Sequence, residues 1–178
     1  MGLLAVGGMS GTGKTTLARA IAPALGASPG AVVLRSDEVR KRLAGLGPTE
    51  RAPPSAYGPE MTGRVYAALF AEAAELVAAG RSVILDATFL EAGRRAQAEA
   101  LAARLDLSLE GLWLEAPESV LRDRLARREG DASDATPDTL AVQLERDVGP
   151  VAWTRLQPHP DLTGQALARL GIPPGDRT

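Results

Sequence analysis

The stretch GGMSGTGKTT, residues 7–16, is the most informative part of this sequence. Its residues 8–15 match the pattern G-x-x-x-x-G-K-[ST]. The apolar run Leu3–Gly7 before it predicts a strand, and Lys14–Leu25 after it has the periodicity of a helix. Because lysine is rare in this chain, about 0.002 chance matches to the pattern are expected. The stretch is therefore predicted to be a loop between a strand and a helix, which is the context that the pattern requires.

Residues 8–15, called the phosphate loop below, have the composition of an anion-binding loop. Glycines allow successive backbone N–H groups to turn inward around phosphate oxygens, and the positive end of the next helix adds to that field. Lys14 is predicted to reach the β- and γ-phosphates of ATP, and the Thr15 hydroxyl to bind Mg²⁺. The alternative is a glycine-rich turn that binds no ligand. The candidate contacts to ATP are Gly8, Ser10, Gly11, Thr12, Gly13, Lys14, Thr15 and Thr16, of which Thr16 also fits an ordinary helical position.

Composition narrows the class of protein. The 178 residues suit one domain, predicted here over residues 1–178. The absence of cysteine excludes disulfides, thiolate metal sites and cysteine nucleophiles, and the single histidine, His159, excludes histidine clusters. A net charge of −2 supplies no global field for a polyanion, so nucleic acid is an unfavoured partner. No apolar run approaches about 18 residues, so we expect no membrane span and a cytoplasmic location.

Short apolar runs alternate with longer stretches of helical period along the chain. This alternation predicts an α/β fold in which helices cover a parallel sheet. The segment between residues 44 and 59 concentrates Gly and Pro and is expected to form an irregular surface insertion. The predicted strands are Leu3–Gly7, Ala31–Arg35, Ser82–Asp86, Leu109–Leu114 and a weak fifth near Trp153–Gln157. The predicted helices are Lys14–Leu25, Ser36–Leu43, Glu60–Ala79, Glu91–Leu105, Pro117–Arg128, Pro137–Arg146 and Leu162–Leu170.

Other nucleotide-binding classes lack their signatures in this sequence. A GTPase would carry Asn/Thr-Lys-x-Asp to recognise guanine, but Lys41, the lysine outside the phosphate loop, is followed by Arg42-Leu43. A transporter-type ATPase would carry a signature such as LSGGQ, and a hexameric AAA machine needs a longer domain. A compact kinase is the class that remains.

Four segments along the chain, the phosphate loop and three others, support that class. The segments are GGMSGTGKTTLARA at 7–20, RSDEVRKRL at 35–43, AGRSVILDATF at 79–89 and LRDRLARREGDASDA at 121–135. Together they resemble the P-loop kinases related to polynucleotide kinase, gluconate kinase, chloramphenicol phosphotransferase and zeta toxins. The resemblance extends weakly through Gln143-Leu144 and Trp153, so it covers nearly the whole chain. It implies a three-layer fold with about five parallel strands in the order 2-3-1-4-5, Mg-ATP as phosphate donor and a hydroxyl group as acceptor.

Two acids at predicted strand ends are the candidate catalytic and metal residues. By the resemblance, Asp37 is the base that accepts the proton of the attacking hydroxyl, although Ser36 or Asp37 would also serve as a helix N-cap. Arg40 is predicted on the same helix face, where it would orient Asp37 or bind a substrate anion, unless it is an exposed member of a charge run. Asp86 ends an apolar run and is assigned to Mg²⁺ with Thr15 or to positioning of the attacking hydroxyl, because related kinases divide the metal and base duties of these two acids differently. The alternative for Asp86 is a structural loop acid.

An arginine-rich segment is predicted to form a lid over approximately residues 124–137. Arg124, Arg127 and Arg128 have the spacing of one helix face, and guanidinium groups on a closing flap clamp phosphate oxygens. We assign Arg124 and Arg127 to catalysis, and Arg124 and Arg128 to the nucleotide. Ordinary surface pairing with Asp123 or Glu129 is the alternative.

The remaining charged and aromatic residues receive no catalytic role. Asp131, Ser133 and Asp134 are expected to shape the lid turn, and for Arg94 and Arg95 a surface position competes with a family match. The residues expected to be solvated are Arg35, Lys41, Arg42 and His159, and those expected in the core or an interface are Trp113 and Trp153.

The acceptor is expected to bind over approximately residues 40–66. Arg51, Tyr57, Arg64 and Tyr66 offer hydrogen bonds and flat apolar surfaces to a sugar, an aminoglycoside-like antibiotic or a nucleoside. Aromatic residues make up only 3% of the chain, which disfavours a stacking platform for a polynucleotide. A small-molecule alcohol is therefore favoured over a 5′-hydroxyl polynucleotide or RNA, and over a nucleotide-binding regulatory module with little transferase activity. The sequence is consistent with a monomer or a homodimer.

Overall fold

The protein forms a five-stranded sheet in the order β2-β3-β1-β4-β5. The structure, a computed structural model, describes residues 2–127 and 133–173. All neighbouring strands are parallel, so both the sheet class and the strand order expected from the sequence are confirmed. The strands are β1 Leu3–Gly8, β2 Val32–Arg35, β3 Val83–Asp86, β4 Leu109–Leu114 and β5 Thr154–Leu156.

Helices cover both faces of the sheet, which explains why β1 and β3 are apolar along most of their length and buried throughout. The helices are α1 Lys14–Ile21, α2 Ser36–Leu43, α3 Pro59–Ala78, α4 Ala92–Arg104, α5 Glu118–Ala126, α6 Pro137–Leu144 and α7 Leu162–Arg169. Short 3₁₀ turns follow α1 and precede α3. None of the helices in the described part of the chain has the length and apolar character needed to cross a bilayer.

Alternation along β1 sends neighbouring side chains into two separate cores. Leu3 and Ala5 face α2, α3 and α4, whereas Leu4 and Val6 face α1 and α7. A third, small cluster joins α5 to α6 through Leu121, Leu125 and Leu140. These three clusters hold the carboxyl ends of β1, β2 and β3 at one edge of the sheet, where the site described next is formed.

Helices α1, α5 and α6 end two or more residues earlier than the sequence predicts, and α6 ends at Leu144 rather than Arg146. Helix α1 ends at Ile21 because Pro23 enters a 3₁₀ turn, where its missing N–H removes a helical donor. Helix α5 ends at Ala126 rather than Arg128. Arg128 and the first part of the expected lid turn, including Asp131, lie outside the described residues.

Candidate active site

A cleft of about 1020 Å³ opens at the carboxyl ends of β1, β2 and β3. Its walls come from the phosphate loop, the start of α2, the insertion before α3 and the segment that begins at Ser133. In open α/β sheets this edge is where ligands bind, because the loops after the parallel strands converge there. Many of the residues that the sequence predicts for donor and acceptor therefore meet in one cavity, although Gly8, Thr12 and Arg124 do not line it.

Backbone geometry makes the phosphate loop a narrow cradle. Gly8 and Gly13 have φ angles of 132° and 95°, which L side chains rarely adopt. A Cβ at Gly8 would lie 2.3 Å from the carbonyl oxygen of Leu114. Gly13, Lys14 and Thr15 line the cleft where α1 starts, and a helix start leaves its first N–H groups without partners in the helix. This arrangement suits an anion, as the sequence predicts.

Lys14 and Thr12 cross the loop and meet at the same carbonyl. The Lys14 ammonium donates a hydrogen bond of 2.8 Å to Met9 O, and the Thr12 hydroxyl donates one of 2.8 Å to that oxygen. The loop is thus held closed by its own side chains. A phosphate oxygen in the cradle would compete with Met9 O for the Lys14 ammonium.

Thr15 and Asp86 form the centre of the site. The Thr15 hydroxyl donates to Asp86 Oδ2 at 2.6 Å, and Asp86 is only 4% exposed. Burial raises the pKa of the Asp86 carboxyl, while Lys14, the Thr15 hydrogen bond and Arg35 oppose that rise. Mg²⁺ takes oxygen ligands and retains several waters, so one hydroxyl and one carboxylate suit it. Residues 2–127 and 133–173 contain no acidic or histidine cluster that would cage another kind of metal.

Arg35 was expected to be solvated, and that prediction is wrong. Its side chain is 4% exposed, with Nε 3.5 Å from Asp86 Oδ2 and Nη1 3.1 Å from Glu38 Oε1. Arg35 and Asp86 are register partners at the ends of β2 and β3, which places the guanidinium beside the carboxylate. No sequence pattern shows this register, so Arg35 is a site residue that the sequence did not reveal.

Asp37 lies in the first turn of α2 and faces the cleft. Its negative charge contributes to the raised pKa of Asp86, so the two carboxylates share one electrostatic environment. The alternative of a side-chain N-cap is not supported, because α2 begins after Arg35 without any side-chain cap hydrogen bond. Asp37 is therefore available for a ligand in the cleft.

Arg40 occupies the acceptor side of the cleft rather than a surface charge run. It is 8% exposed, donates to Ala56 O at 2.6 Å and to the Thr62 hydroxyl at 3.4 Å, and lies over the Tyr57 ring at 4.8 Å. Among the described residues, no hydrogen bond or ion pair joins Arg40 to Asp37. No contact therefore supports the expectation that Arg40 orients Asp37. Arg40 lines the cleft, so its predicted role in binding a substrate anion stays a prediction.

Of the other four residues expected to bind the acceptor, three line the cleft and one does not. Arg51, Tyr57 and Tyr66 line the cleft. Tyr66 is buried, its hydroxyl accepts a hydrogen bond from Phe89 N at 3.1 Å, and burial raises its pKa. Arg64 is exposed on α3 and does not reach the cleft.

Of the arginines expected in the lid, Arg124 contacts the phosphate loop and Arg127 does not. Arg124 donates to Gly11 O at 3.2 Å and Thr12 O at 3.4 Å, so it packs against the back of the phosphate loop. Arg127 follows α5 and is exposed, outside the residues that line the cleft. The assignments of Arg127 and Arg128 to phosphate binding stay predictions, and Arg128 lies outside the described residues.

A buried ion pair fastens the insertion to the last part of the expected lid segment, and we call Lys41, Ala52, Tyr57 and Asp134 the clasp. The Lys41 ammonium is 3.2 Å from Asp134 Oδ1, and Asp134 Oδ2 accepts from Ala52 N at 2.9 Å and the Tyr57 hydroxyl at 3.0 Å. Lys41 is 2% exposed, so the expectation of a solvated lysine is wrong. Burial raises the pKa of the Asp134 carboxyl, but the Ala52, Tyr57 and Lys41 contacts outweigh it and hold that pKa below its ordinary value.

Gln143 reaches the phosphate loop from α6. Its Oε1 accepts a hydrogen bond of 2.9 Å from Ser10 N, and its Nε2 donates one of 2.9 Å to Ser10 Oγ. The Ser10 backbone N–H, expected to face phosphate, is therefore already bound by Gln143. The sequence pointed to Gln143 only through the weak family resemblance at Gln143-Leu144, and that resemblance assigned no function to Gln143.

Outside the cleft, the structure determines the burial of Arg95, of the two tryptophans and of His159. Arg95 is buried and donates to the carbonyls of Phe89, Leu90, Val148 and Pro150, so the surface position considered for it is wrong. Trp113 and Trp153 are buried in the core as predicted. His159 is exposed, also as predicted.

Comparison with known proteins assigns the chain to a family. A family model for an AAA domain matches residues 3–148. The chain belongs to this family. Uncharacterised proteins of Mycobacterium bovis and Mycobacterium tuberculosis are 36% identical to it over an alignment of 148 residues that covers 81% of this chain. The chain spans 29% of the length of these relatives.

Solved structures share the fold over nearly the whole chain. A sugar kinase of Janibacter sp. HTCC2649 has a TM-score of 0.64 at 21% identity, covering 98% of this chain and 96% of its own. A gluconokinase of Sinorhizobium meliloti has a TM-score of 0.60 at 24% identity, covering 96% and 91%. Kti12 of Chaetomium thermophilum, solved with ADP-AlF3, has a TM-score of 0.68 at 22% identity, covering 97% and 100%. The likeness shows that this AAA domain has the P-loop kinase fold.

Proposed function

We propose that this protein is a kinase that transfers the γ-phosphoryl group of Mg-ATP to a hydroxyl group of a small molecule. The observation that carries the proposal is the Thr15–Asp86 contact at the end of the phosphate loop, where α1 starts, with Asp37 on another wall of the same cleft. A phosphate cradle, a magnesium pair and a separate carboxylate are the parts that phosphoryl transfer requires.

On the donor side, the phosphate loop and the start of α1 would hold the triphosphate, with Lys14 leaving Met9 O to neutralise its charge. Thr15 and Asp86 would hold Mg²⁺, which supplies charge neutralisation across the phosphates when bound. Arg35 keeps the Asp86 carboxylate in place by a second contact. These residues bind and orient the donor and take no part in proton transfer.

On the acceptor side, Asp37 would accept the proton of the attacking hydroxyl. The hydroxyl oxygen forms a bond to the γ-phosphorus while the bond to the β–γ bridging oxygen breaks, and ADP leaves. The products are ADP and a phosphate ester, and the proton passes from Asp37 to solvent. Because Asp37 lines the cleft without serving as a helix cap, its carboxylate is available for this step.

Arg40 and Tyr57 would bind the acceptor. The Arg40 guanidinium is nearly buried, and no carboxylate of the described residues pairs with it. An anionic or strongly polar group on the acceptor would satisfy it. The likeness to a sugar kinase and a gluconokinase supports a polar alcohol of that size.

A second candidate is a nucleotide-binding regulatory module with little transferase activity. The likeness to Kti12, a protein solved with ADP-AlF3 and without a named acceptor, favours keeping this candidate, with a TM-score of 0.68. It predicts nucleotide binding without turnover that depends on an acceptor. It also predicts that function survives Asp37→Asn.

An ADP-release screen over sugars, aminoglycosides, nucleosides and 5′-hydroxyl oligonucleotides separates these functions. With the acceptor so found, Asp37→Asn should lower kcat by at least about 100-fold while ATP binding persists, because only the base is lost. Lys14→Ala should weaken ATP binding as well. Asp106→Asn, at an exposed position after α4, is the matched control and should leave both unchanged. Near-normal turnover by Asp37→Asn would overturn the assignment of the base.

A further inference from the structure

The two-point contact between Gln143 and Ser10 is unusual because one side-chain amide satisfies both the backbone and the hydroxyl of a phosphate-loop residue. The two residues are 133 positions apart, and both line the cleft. The backbone N–H of Ser10 can only donate, so it must face Gln143 Oε1. Gln143 Nε2 therefore faces the Ser10 hydroxyl and donates to it, which settles the orientation of the amide.

This contact determines where the Ser10 proton can go. A serine hydroxyl has one proton to donate and two lone pairs that accept, and Gln143 occupies one of the lone pairs. Among the residues that the structure describes, Ser10 Oγ donates to no protein acceptor. Its proton is therefore available to an oxygen of a molecule in the cleft.

The position of Gln143 is rigidly supported. Helix α6 starts with a capping box in which Thr136 and Thr139 exchange hydrogen bonds. Leu140, one turn before Gln143, is fully buried against Leu121 and Leu125 of α5. The amide thus projects from a capped and packed helix, so the direction of the Ser10 hydroxyl is set by tertiary structure rather than by the phosphate loop.

We propose that Gln143 is a positioning residue for the γ-phosphoryl group, acting by aiming the Ser10 hydroxyl at it. This inference rests on the proposed function, because it requires a triphosphate in the phosphate loop. The Thr12 hydroxyl donates to Met9 O and the Thr15 hydroxyl donates to Asp86, which leaves Ser10 as the phosphate-loop hydroxyl whose proton can reach a ligand in the cleft. A diphosphate lacks the group that Ser10 would contact, so Gln143 should matter for ATP and not for ADP.

The test measures the affinities for Mg-AMPPNP and Mg-ADP by isothermal titration calorimetry, without any acceptor. Gln143→Ala should weaken AMPPNP about tenfold and change ADP by less than about twofold, as expected for one hydrogen bond to a charged group. Ser10→Ala should have the same selective effect. The double variant should match Ser10→Ala alone, because Gln143 acts through Ser10.

A conservative variant separates positioning from support of the fold. Gln143→Glu keeps an acceptor for Ser10 N, but its carboxylate would draw the Ser10 proton away from the cleft. It should weaken AMPPNP at least as much as Gln143→Ala, with a melting temperature close to wild type. Gln165→Ala, exposed on α7, is the matched control and should alter neither affinity.

The outcomes distinguish this inference from the proposed function. A wild-type protein that binds neither nucleotide would overturn both. If the wild type binds both nucleotides, unchanged affinities in Gln143→Ala would overturn the inference alone. So would equal weakening of AMPPNP and ADP, since that result would mean general support of the loop.

Discussion

At the scale of single residues, Arg35 shows how much the metal side of the site depends on a buried cation. Asp86 is desolvated, and a desolvated carboxylate is unfavourable unless it is paired. Thr15 supplies one hydrogen bond and Arg35 supplies the adjacent positive charge at 3.5 Å. Arg35 also reaches Glu38, so it links the end of β2 to the first turn of α2, where Asp37 is located.

Replacing Arg35 should therefore destabilise the fold. Arg35→Leu leaves Asp86 buried beside an apolar side chain, and we expect the free energy of unfolding to fall by about 3 kcal/mol. Urea denaturation monitored by circular dichroism would measure this. Arg122→Leu is the control, because its ion pair with Glu118 is exposed and should contribute less than about 0.5 kcal/mol. Equal effects of the two substitutions would contradict the role given to Arg35.

At the scale of elements, the clasp joins three parts of the chain that the sequence separates. Lys41 belongs to α2, Ala52 and Tyr57 to the insertion, and Asp134 to the segment before α6. Burial, more than its contacts, raises the pKa of the Tyr57 hydroxyl, so Tyr57 remains a neutral donor to Asp134. The acceptor wall and the last part of the expected lid segment are thereby held to each other beside the cleft.

The clasp should make stability depend on pH. A carboxyl whose pKa is lower in the folded state stabilises the fold above its unfolded pKa of about 3.9, and this contribution is lost as the pH falls through the folded pKa. Asp134→Asn should thus lower the free energy of unfolding at about pH 6, and its difference from wild type should shrink below about pH 4. Urea denaturation at several pH values measures both quantities.

Asp123→Asn is the control for the clasp, since Asp123 is exposed on α5. It should leave stability nearly unchanged throughout that pH range. A loss of stability in Asp134→Asn that is the same at about pH 6 and about pH 3 would show that ionisation of Asp134 does not stabilise the clasp.

At the scale of the whole molecule, the two sides of the cleft belong to opposite faces of one sheet. The phosphate loop leads into α1 on one face, while α2 and α3 lie on the other face and carry the acceptor wall. Strand β1, buried at the centre of the sheet, holds the donor side in register with Asp86 on β3. Donor and acceptor therefore approach each other across the sheet edge.

The overall charge predicts which acceptors the molecule rejects. With a net charge of −2, the surface lacks the field that concentrates a polyanion. A fluorescent 5′-hydroxyl 20-mer should bind more weakly than about 10 μM at 0.15 M salt, measured by anisotropy, and should not stimulate ADP release. Tighter binding that weakens steeply with added salt would favour the polynucleotide kinase instead. Mg-ATP in the same buffer serves as the positive control for active protein.

Residues that act through local patterns were predictable. The phosphate loop depends on glycines and a helix start that are contiguous in sequence, and Asp86 directly ends an apolar strand. The sequence therefore predicts Thr15 and Asp86 as a pair, and the structure joins them by a 2.6 Å hydrogen bond. Strand order came from the resemblance to a family rather than from the residues alone. Asp37 and Tyr57 line the cleft as predicted, because loops after parallel strands gather at one edge.

Sequence alone thus determined the class of fold, the phosphate loop and the acids around it, since these follow from short-range periodicity and chain direction. Only tertiary structure decided which cations are buried. The sequence predicts Arg35 and Lys41 as solvated and leaves a surface position open for Arg95, because a charge reveals neither its burial nor a partner supplied by another strand or loop. The same holds for Gln143 and Ser10, whose contact exists because α5 and α6 pack beside the loop and bring residues 133 positions apart within 2.9 Å.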